Sequence, residues 1–250
     1  MQLEDKTIII TGASSGIGAA AAAIFAAKGA RLVIAARRRD RLEAVAADIA
    51  RKGGKAIALD GDVRDEAFAA RLVDTARREF GGLDGAFNNA GTTGRLGPVA
   101  QMDRDNWRSV LAVNLDSAFF AAKHQIPALK QQGGGSIVFT SSFVGHTIGL
   151  PGMGAYAAAK AGLVGLAQVL ATEHGADGIR VNALLPGGTM TEMAGDDAQF
   201  HDAVRQMHAL KRMADPEEIA RAAMFLLSDQ SSFVTGTAML ADGGNSITKL

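Results

Sequence analysis

Along the whole chain, short and continuously apolar runs alternate with longer stretches of helical periodicity. The runs fall at 7–10, 31–35, 56–59, 83–87, 136–140, 179–184 and 237–240, and the helical stretches at 16–28, 40–52, 66–80, 104–131, 155–174 and 216–228. A strand with one wet face alternates polar and apolar residues, whereas a strand covered on both faces is apolar throughout. The pattern therefore predicts an α/β fold: a Rossmann-like, doubly wound parallel sheet of about seven strands with helices on both faces. No Pro- or Ser-rich linker and no internal repeat divides the chain, so residues 1–250 are expected to form a single domain. The stretch 187–211, polar and Met-rich, is the least regular and is expected to be a loop or lid on the substrate side.

Composition narrows the function. Apolar residues make up 48% and charged residues 21%, which suits an ordinary folded chain. The formal net charge is zero, so neither nucleic acid nor an acidic membrane surface is an expected partner. There is no Cys, hence no disulfide, thiolate nucleophile or Cys-based metal site. The five His show no ligand spacing and no metal is expected, although His146 is a candidate to border the substrate. Residues 1–6 lack the basic and apolar regions of a signal peptide, and no apolar run looks long enough to cross a bilayer. A soluble cytoplasmic protein is the expectation.

Two motifs carry chemistry. The first run leads into Gly12, Ser14, Ser15, Gly16, Ile17 and Gly18, and then a helix. Glycines there permit a tight turn, and a helix N-terminus offers unpaired N–H groups to a pyrophosphate. The second run ends in Ala35-Ala36 followed by Arg37, Arg38 and Arg39, with no acid where a ribose 2′-hydroxyl would be recognised. Arg37 is expected to reach a 2′-phosphate, so NADP(H) is preferred and NAD(H) remains the alternative. Further along, Tyr156 and Lys160 stand four residues apart on one helix face, where an ammonium can bias a phenol toward phenolate.

With these motifs together, the sequence resembles the classical short-chain dehydrogenase/reductase family from the first strand to the C-terminus. Asn88-Asn89-Ala90-Gly91, Asn114, Ser141-Ser142, Pro186-Gly187 and the segment from Thr235 to Gly244 match its pattern in order. The resemblance implies a tetrad of Asn114, Ser142, Tyr156 and Lys160. Tyr156 would exchange a proton with the substrate oxygen, Ser142 would orient that oxygen, Lys160 would bind the nicotinamide ribose, and Asn114 would hold a water. It also implies that Gly12, Ser14, Ser15, Ile17 and Gly18 meet the pyrophosphate and ribose, and that Asp62 and Val63 flank the adenine. Asn89, Ala90 and Gly91 would pack beneath the adenosine side, and Pro186, Gly187, Thr189 and Thr191 would line the nicotinamide half. Ser142 is preferred to Ser141 because Ser142-Phe143-Val144-Gly145 matches the family's continuation. Ser15 departs from the basic residue common in NADP-preferring members.

The expected function is NADP(H)-dependent interconversion of a carbonyl and a secondary alcohol on a small substrate. The alternatives are a 3-oxoacyl-carrier-protein reductase and, in a different class, a non-catalytic dinucleotide-binding regulator. An acyl-carrier partner would want a basic pocket mouth, and 187–211 offers Glu192, Asp196, Asp197 and Asp202 instead. Helices apolar on more than one face, and the family's habit, imply a homotetramer.

Overall fold

A computed structural model describes residues 2–248. Seven parallel strands form one sheet: β1 (Thr7–Thr11), β2 (Arg31–Ala36), β3 (Lys55–Asp60), β4 (Gly85–Asn88), β5 (Gly135–Thr140), β6 (Ile179–Pro186) and β7 (Ala238–Ala241). Their order is β3-β2-β1-β4-β5-β6-β7. The chain winds outward from β1 in one direction and then from β4 in the other. The crevice between the C-terminal ends of β1 and β4 is where such sheets bind ligands.

The apolar runs are continuous because successive residues serve different layers. In β1, Ile8 and Ile10 face one core with Leu32, Ile34, Val138 and Leu184, beneath α1 (Gly16–Ala27), α2 (Arg39–Arg51) and α8 (Pro216–Leu227). Ile9 faces the other core with Val33, Phe139, Val181 and Leu185. That second core lies under α3 (Glu66–Phe80), α5 (Ser117–Gln132) and α6 (Gly154–His174). Each fully buried side chain of this size contributes roughly 1.5–3 kcal/mol of transfer free energy. Capping follows the local sequence: the Asp65 side chain accepts the Ala67 N–H, Asp103 accepts that of Asn106 at 2.7 Å, and Pro216 opens α8 behind an Asp215–Glu218 capping box.

Three expectations change. The region 104–131 is two helices, α4 (Arg104–Leu111) and α5, joined by a π-helical turn at Ala112–Asp116. Asn114 Nδ2 donates to the Val110 carbonyl at 2.8 Å, and a side chain inserted into the backbone ladder widens the helix there. The stretch 187–211 is not irregular throughout: α7 (Ala198–Met207) starts at Asp197, whose carboxylate accepts the N–H groups of Gln199 and Phe200. Finally, Gly154–Asp177 is long and apolar enough to cross a membrane by length and composition, with mean hydropathy 1.2. It packs on β6, and Leu163, Ala167, Leu170 and Ala171 enter the core, so its apolar character has a partner in the sheet.

Candidate active site

All seven strands are parallel, so the loops after their C-terminal ends converge on one side of the sheet. They surround a cleft of about 890 Å³. Gly12, Ser14, Ser15, Gly16 and Ile17 line it after β1, Arg37 and Arg38 after β2, and Asp62 and Val63 after β3. Asn89, Ala90 and Gly91 follow β4, Ser142 follows β5, and Tyr156 and Lys160 come from α6. Pro186, Gly187, Thr189 and Thr191 close it after β6.

Gly18 and Asn114 stand behind this lining. A Cβ on Gly18 would come within 2.2 Å of the Gly12 carbonyl oxygen, so its part is to let α1 close onto the turn. Asn114 is buried, donates to the Thr92 carbonyl at 2.8 Å, and accepts the Thr92 N–H at 3.2 Å. It therefore clamps the chain just after Gly91. A Cβ on Gly91 would lie 2.9 Å from Asn114 Oδ1 and 3.4 Å from Lys160 Nζ, so the missing side chain is what lets these two groups share one space.

The glycine turn suits a pyrophosphate. Gly12 and Gly16 have φ of +70° and +52°, which side chains rarely adopt. A Cβ on Gly12 would press on Ala90 at 3.0 Å. Ser15, at the N-cap of α1, makes no side-chain cap bond and no acid occupies the first turn, so the helix N-terminus faces the cleft uncompensated. Two threonines unmentioned in the sequence reading hold the frame. Thr11 Oγ1 accepts the N–H groups of Asn89 and Ala90, and Thr140 Oγ1 donates to Asn89 Oδ1 at 3.1 Å. Their signal was slight: a hydroxyl residue at the end of each central strand.

At the β2 end both Arg37 and Arg38 line the cleft, and Arg38 is the one bonded to the glycine turn. Arg38 donates to Ser15 Oγ at 2.7 Å and to Ser14 Oγ at 3.2 Å, so its guanidinium covers the side of the pocket that Ser15 leaves without a base. Arg37 lines the same cleft and acts on Asp62 through charge, helping the Arg64 guanidinium hold that carboxyl below its usual range. Arg38 is also bonded to Glu192 at 2.7 Å, and Arg41 bonds the same carboxylate. With a Cβ on Gly16 only 3.0 Å from Thr191 Cγ2, the segment after β6 crosses over the glycine turn.

The two serines separate cleanly. Ser141 Oγ is buried and donates to the Lys160 carbonyl, anchoring β5 to α6. Ser142 Oγ accepts the Val144 N–H at 3.1 Å and is the polar group that draws the Tyr156 phenol down. Lys160 Nζ lies 5.6 Å from the Tyr156 ring centroid and donates to the Thr140 carbonyl at 2.5 Å. Burial raises the phenol and Ser142 opposes that rise, while burial lowers the Lys160 ammonium to about 7. Desolvation thus dominates both groups.

The far half of the cleft is apolar: Phe143, Leu150, Met153, Met193, Phe200 and Met207 line it, with Met213 beside them. Met190 lies outside the lining and is exposed. His146 is exposed on the loop after Ser142 and is not part of the lining, so it does not border the cleft. Among the described residues no group of His, Asp and Glu could hold a metal ion.

A glycine turn at the switch point of a parallel sheet, with a serine, a tyrosine and a lysine in the same cleft, defines a dinucleotide-dependent α/β oxidoreductase. A family profile described as "Enoyl-(Acyl carrier protein) reductase" matches residues 12–246. The chain is 41% identical over 247 residues to a 2,5-dichloro-2,5-cyclohexadiene-1,4-diol dehydrogenase of Sphingobium indicum, covering 97% of each protein. It is 36% identical to a cyclohexanol dehydrogenase of an Acinetobacter species, covering 97% of this chain and 95% of that one. The crystal structure of levodione reductase superposes with a TM-score of 0.94 at 33% identity, covering 99% of this chain and 100% of that one. The chain belongs to the short-chain dehydrogenase/reductase family. It is an oxidoreductase acting on CH–OH and C=O groups with an NAD(P) dinucleotide.

Proposed function

We propose that the protein interconverts a carbonyl and a secondary alcohol on a small, largely apolar substrate, using NADP(H), with Tyr156 as general acid/base. The observation that carries this reading is the meeting of Ser142, Tyr156 and Lys160 in the cleft that the glycine turn opens into. When bound, the dinucleotide supplies or accepts the hydride at its nicotinamide ring. The turn from Gly12 to Gly18 and the start of α1 hold the pyrophosphate. Arg38, with Ser14, Ser15 and Arg37, takes the 2′-phosphate, while Asp62 and Val63 flank the adenine. Gly91 and its neighbours lie under the adenosine side, and Pro186, Gly187, Thr189 and Thr191 line the nicotinamide side.

Ser142 donates a hydrogen bond to the substrate oxygen and orients it. Tyr156 gives or takes the proton at that oxygen. Burial opposes the phenolate, so the cycle needs a positive charge close by; Lys160, protonated, is the side chain suited to supply it while gripping the ribose hydroxyls. Asn114, clamped to Thr92, holds a water that links Lys160 to solvent.

The apolar lining and the relatives named as dehydrogenases of cyclohexanol and of a dichlorocyclohexadienediol support an alicyclic alcohol or ketone as substrate. A 3-oxoacyl-carrier-protein substrate is less supported, because Glu192 and Asp197 stand in the lining where an acidic carrier would want bases. Exposed Phe119 on α5 and Val169 on α6 support the homotetramer, and the single sheet supports one domain over 1–250. The test is turnover of an alicyclic ketone and alcohol panel with NADPH and NADH. Tyr156→Phe is expected to lower kcat by about 10²–10⁴-fold while keeping dinucleotide affinity. A Tyr156→Phe enzyme as fast as wild type would sink the mechanism.

A further inference from the structure

His208 follows α7, is 1% exposed, and touches three separate parts of the chain. The Gly188 N–H donates to Nε2 at 3.0 Å, and Nδ1 lies 2.6 Å from the Val204 carbonyl oxygen. A carbonyl only accepts, so Nδ1 carries the proton and Nε2 is the bare acceptor: the ring is the neutral Nδ1–H tautomer. Glycines make room for it. A Cβ on Gly187 would come within 2.8 Å of Nε2, one on Gly188 within 3.0 Å of Cε1, and one on Gly243 within 3.2 Å of Cδ2. Gly187 and Gly188 belong to the cleft wall after β6, and Val204 and Met207 are the cleft side of α7.

We propose that His208 is a positioning residue for the reaction. Its two hydrogen bonds set the spacing between the wall at 186–189 and α7, and so between the nicotinamide half of the cleft and the apolar half. The proposal rests on the oxidoreductase reading above. Backbone bonds brace the glycines around the ring from further along the chain, Ala214 N–H to the Gly188 carbonyl at 2.8 Å and Leu210 N–H to the Gly243 carbonyl at 3.1 Å. The imidazole adds a tie to α7 itself. A buried, fully satisfied polar group of this kind fixes one geometry, because each lost bond leaves an unpaired group in the interior. Reacting groups misplaced by about 1 Å lose on the order of 10²-fold in rate, which is the scale on which such a tie matters.

The experiment compares His208→Phe, His208→Gln and His208→Asn in the full chain. Phe fills the ring's volume and leaves both partners unpaired; Gln carries an oxygen far enough out to accept the Gly188 N–H; Asn reaches only the Val204 side. With folding checked by thermal melt and NADPH affinity by nucleotide fluorescence, the Phe variant is expected to keep its affinity. It should lose roughly ten- to a hundredfold in kcat. Gln should recover most of the loss and Asn should not. If Phe does not fold, the Gln–Asn difference decides. A Phe variant with wild-type kcat, or Gln and Asn equally slow, overturns the proposal. A second readout needs no turnover: in wild-type protein, nitrogen NMR should find the proton on Nδ1, and the Gly188 amide should exchange slowly. A proton on Nε2 overturns the tie outright. A wild type that turns over no substrate, yet shows the Nδ1 proton, would fault the oxidoreductase reading and leave the tie standing.

Discussion

Ser141 donates a 2.6 Å hydrogen bond to the backbone carbonyl of Lys160, while the next residue, Ser142, draws the phenol of Tyr156 down. Of these adjacent serines only Ser142 thus serves the chemistry. Ser141→Ala should lower the melting temperature, in keeping with about 1 kcal/mol for a buried hydrogen bond, and cost little rate. Ser142→Ala also leaves the buried Val144 N–H without its acceptor, so it should lower the melting temperature comparably, but it alone should lose about 10²–10³-fold in kcat. Because Ser142 pulls the Tyr156 phenol down, its loss should also move the pH profile of alcohol oxidation upward. Equal effects of the two substitutions on kcat would refute this division.

Arg38 and Glu192 give a prediction about the dinucleotide. Arg38→Ala should weaken NADPH far more than NADH, and Arg37→Ala should do so less. Glu192→Gln should tighten NADPH, since it frees Arg38 and Arg41 from a competing carboxylate. Fluorescence titration of both nucleotides against the variants measures this. NADH binding tighter than NADPH in the wild type would remove the role assigned to Arg38.

Lys160 predicts a pH dependence of stability for the dinucleotide-free protein. Its folded-state ammonium titrates near 7, well below the usual 10.5. Between those values the unfolded chain binds more protons, so stability contributed by this group rises with pH across that window; below about 7 the full cost of burying the charge is felt. Lys160→Met should abolish that rise in a denaturant series from pH 6.5 to 10. A variant with the wild-type slope would show that another group is responsible.

Gly91→Ala should impair catalysis through contact alone, because its methyl group would meet Asn114 Oδ1 and crowd Lys160. Gly97→Ala is the control, since a Cβ there meets nothing within 4 Å. Steady-state kinetics on the pair should show a loss of kcat only for Gly91→Ala.

How much of this was legible in the sequence depended on how local its cause was. The strands could be read because residues such as Ile8, Ile9 and Ile10 serve two cores at once and leave an unbroken apolar run. The glycine turn and the Tyr156–Lys160 spacing were readable for the same reason. The widened turn at Asn114 was not, because Ala112–Asp116 has ordinary helical composition and the cause is one side chain bonding Val110. Nor was α7, since the polar residues before it hide the apolar spacing of Phe200, Ala203, Val204 and Met207. That Arg38 reaches Ser15 was not legible either, because it depends on Arg38 being the N-cap of α2. The role of His208 depended on Gly188 and Gly243, both distant in sequence, and no spacing announces it.

The segment after β6 that crosses the glycine turn has a kinetic consequence. Glu192 shares Arg38 with Ser14 and Ser15, so a nucleotide phosphate settling there competes with that carboxylate. The crosspiece is held by exposed ion pairs that salt screens. Where nucleotide departure limits the cycle, ionic strength becomes a throttle on turnover.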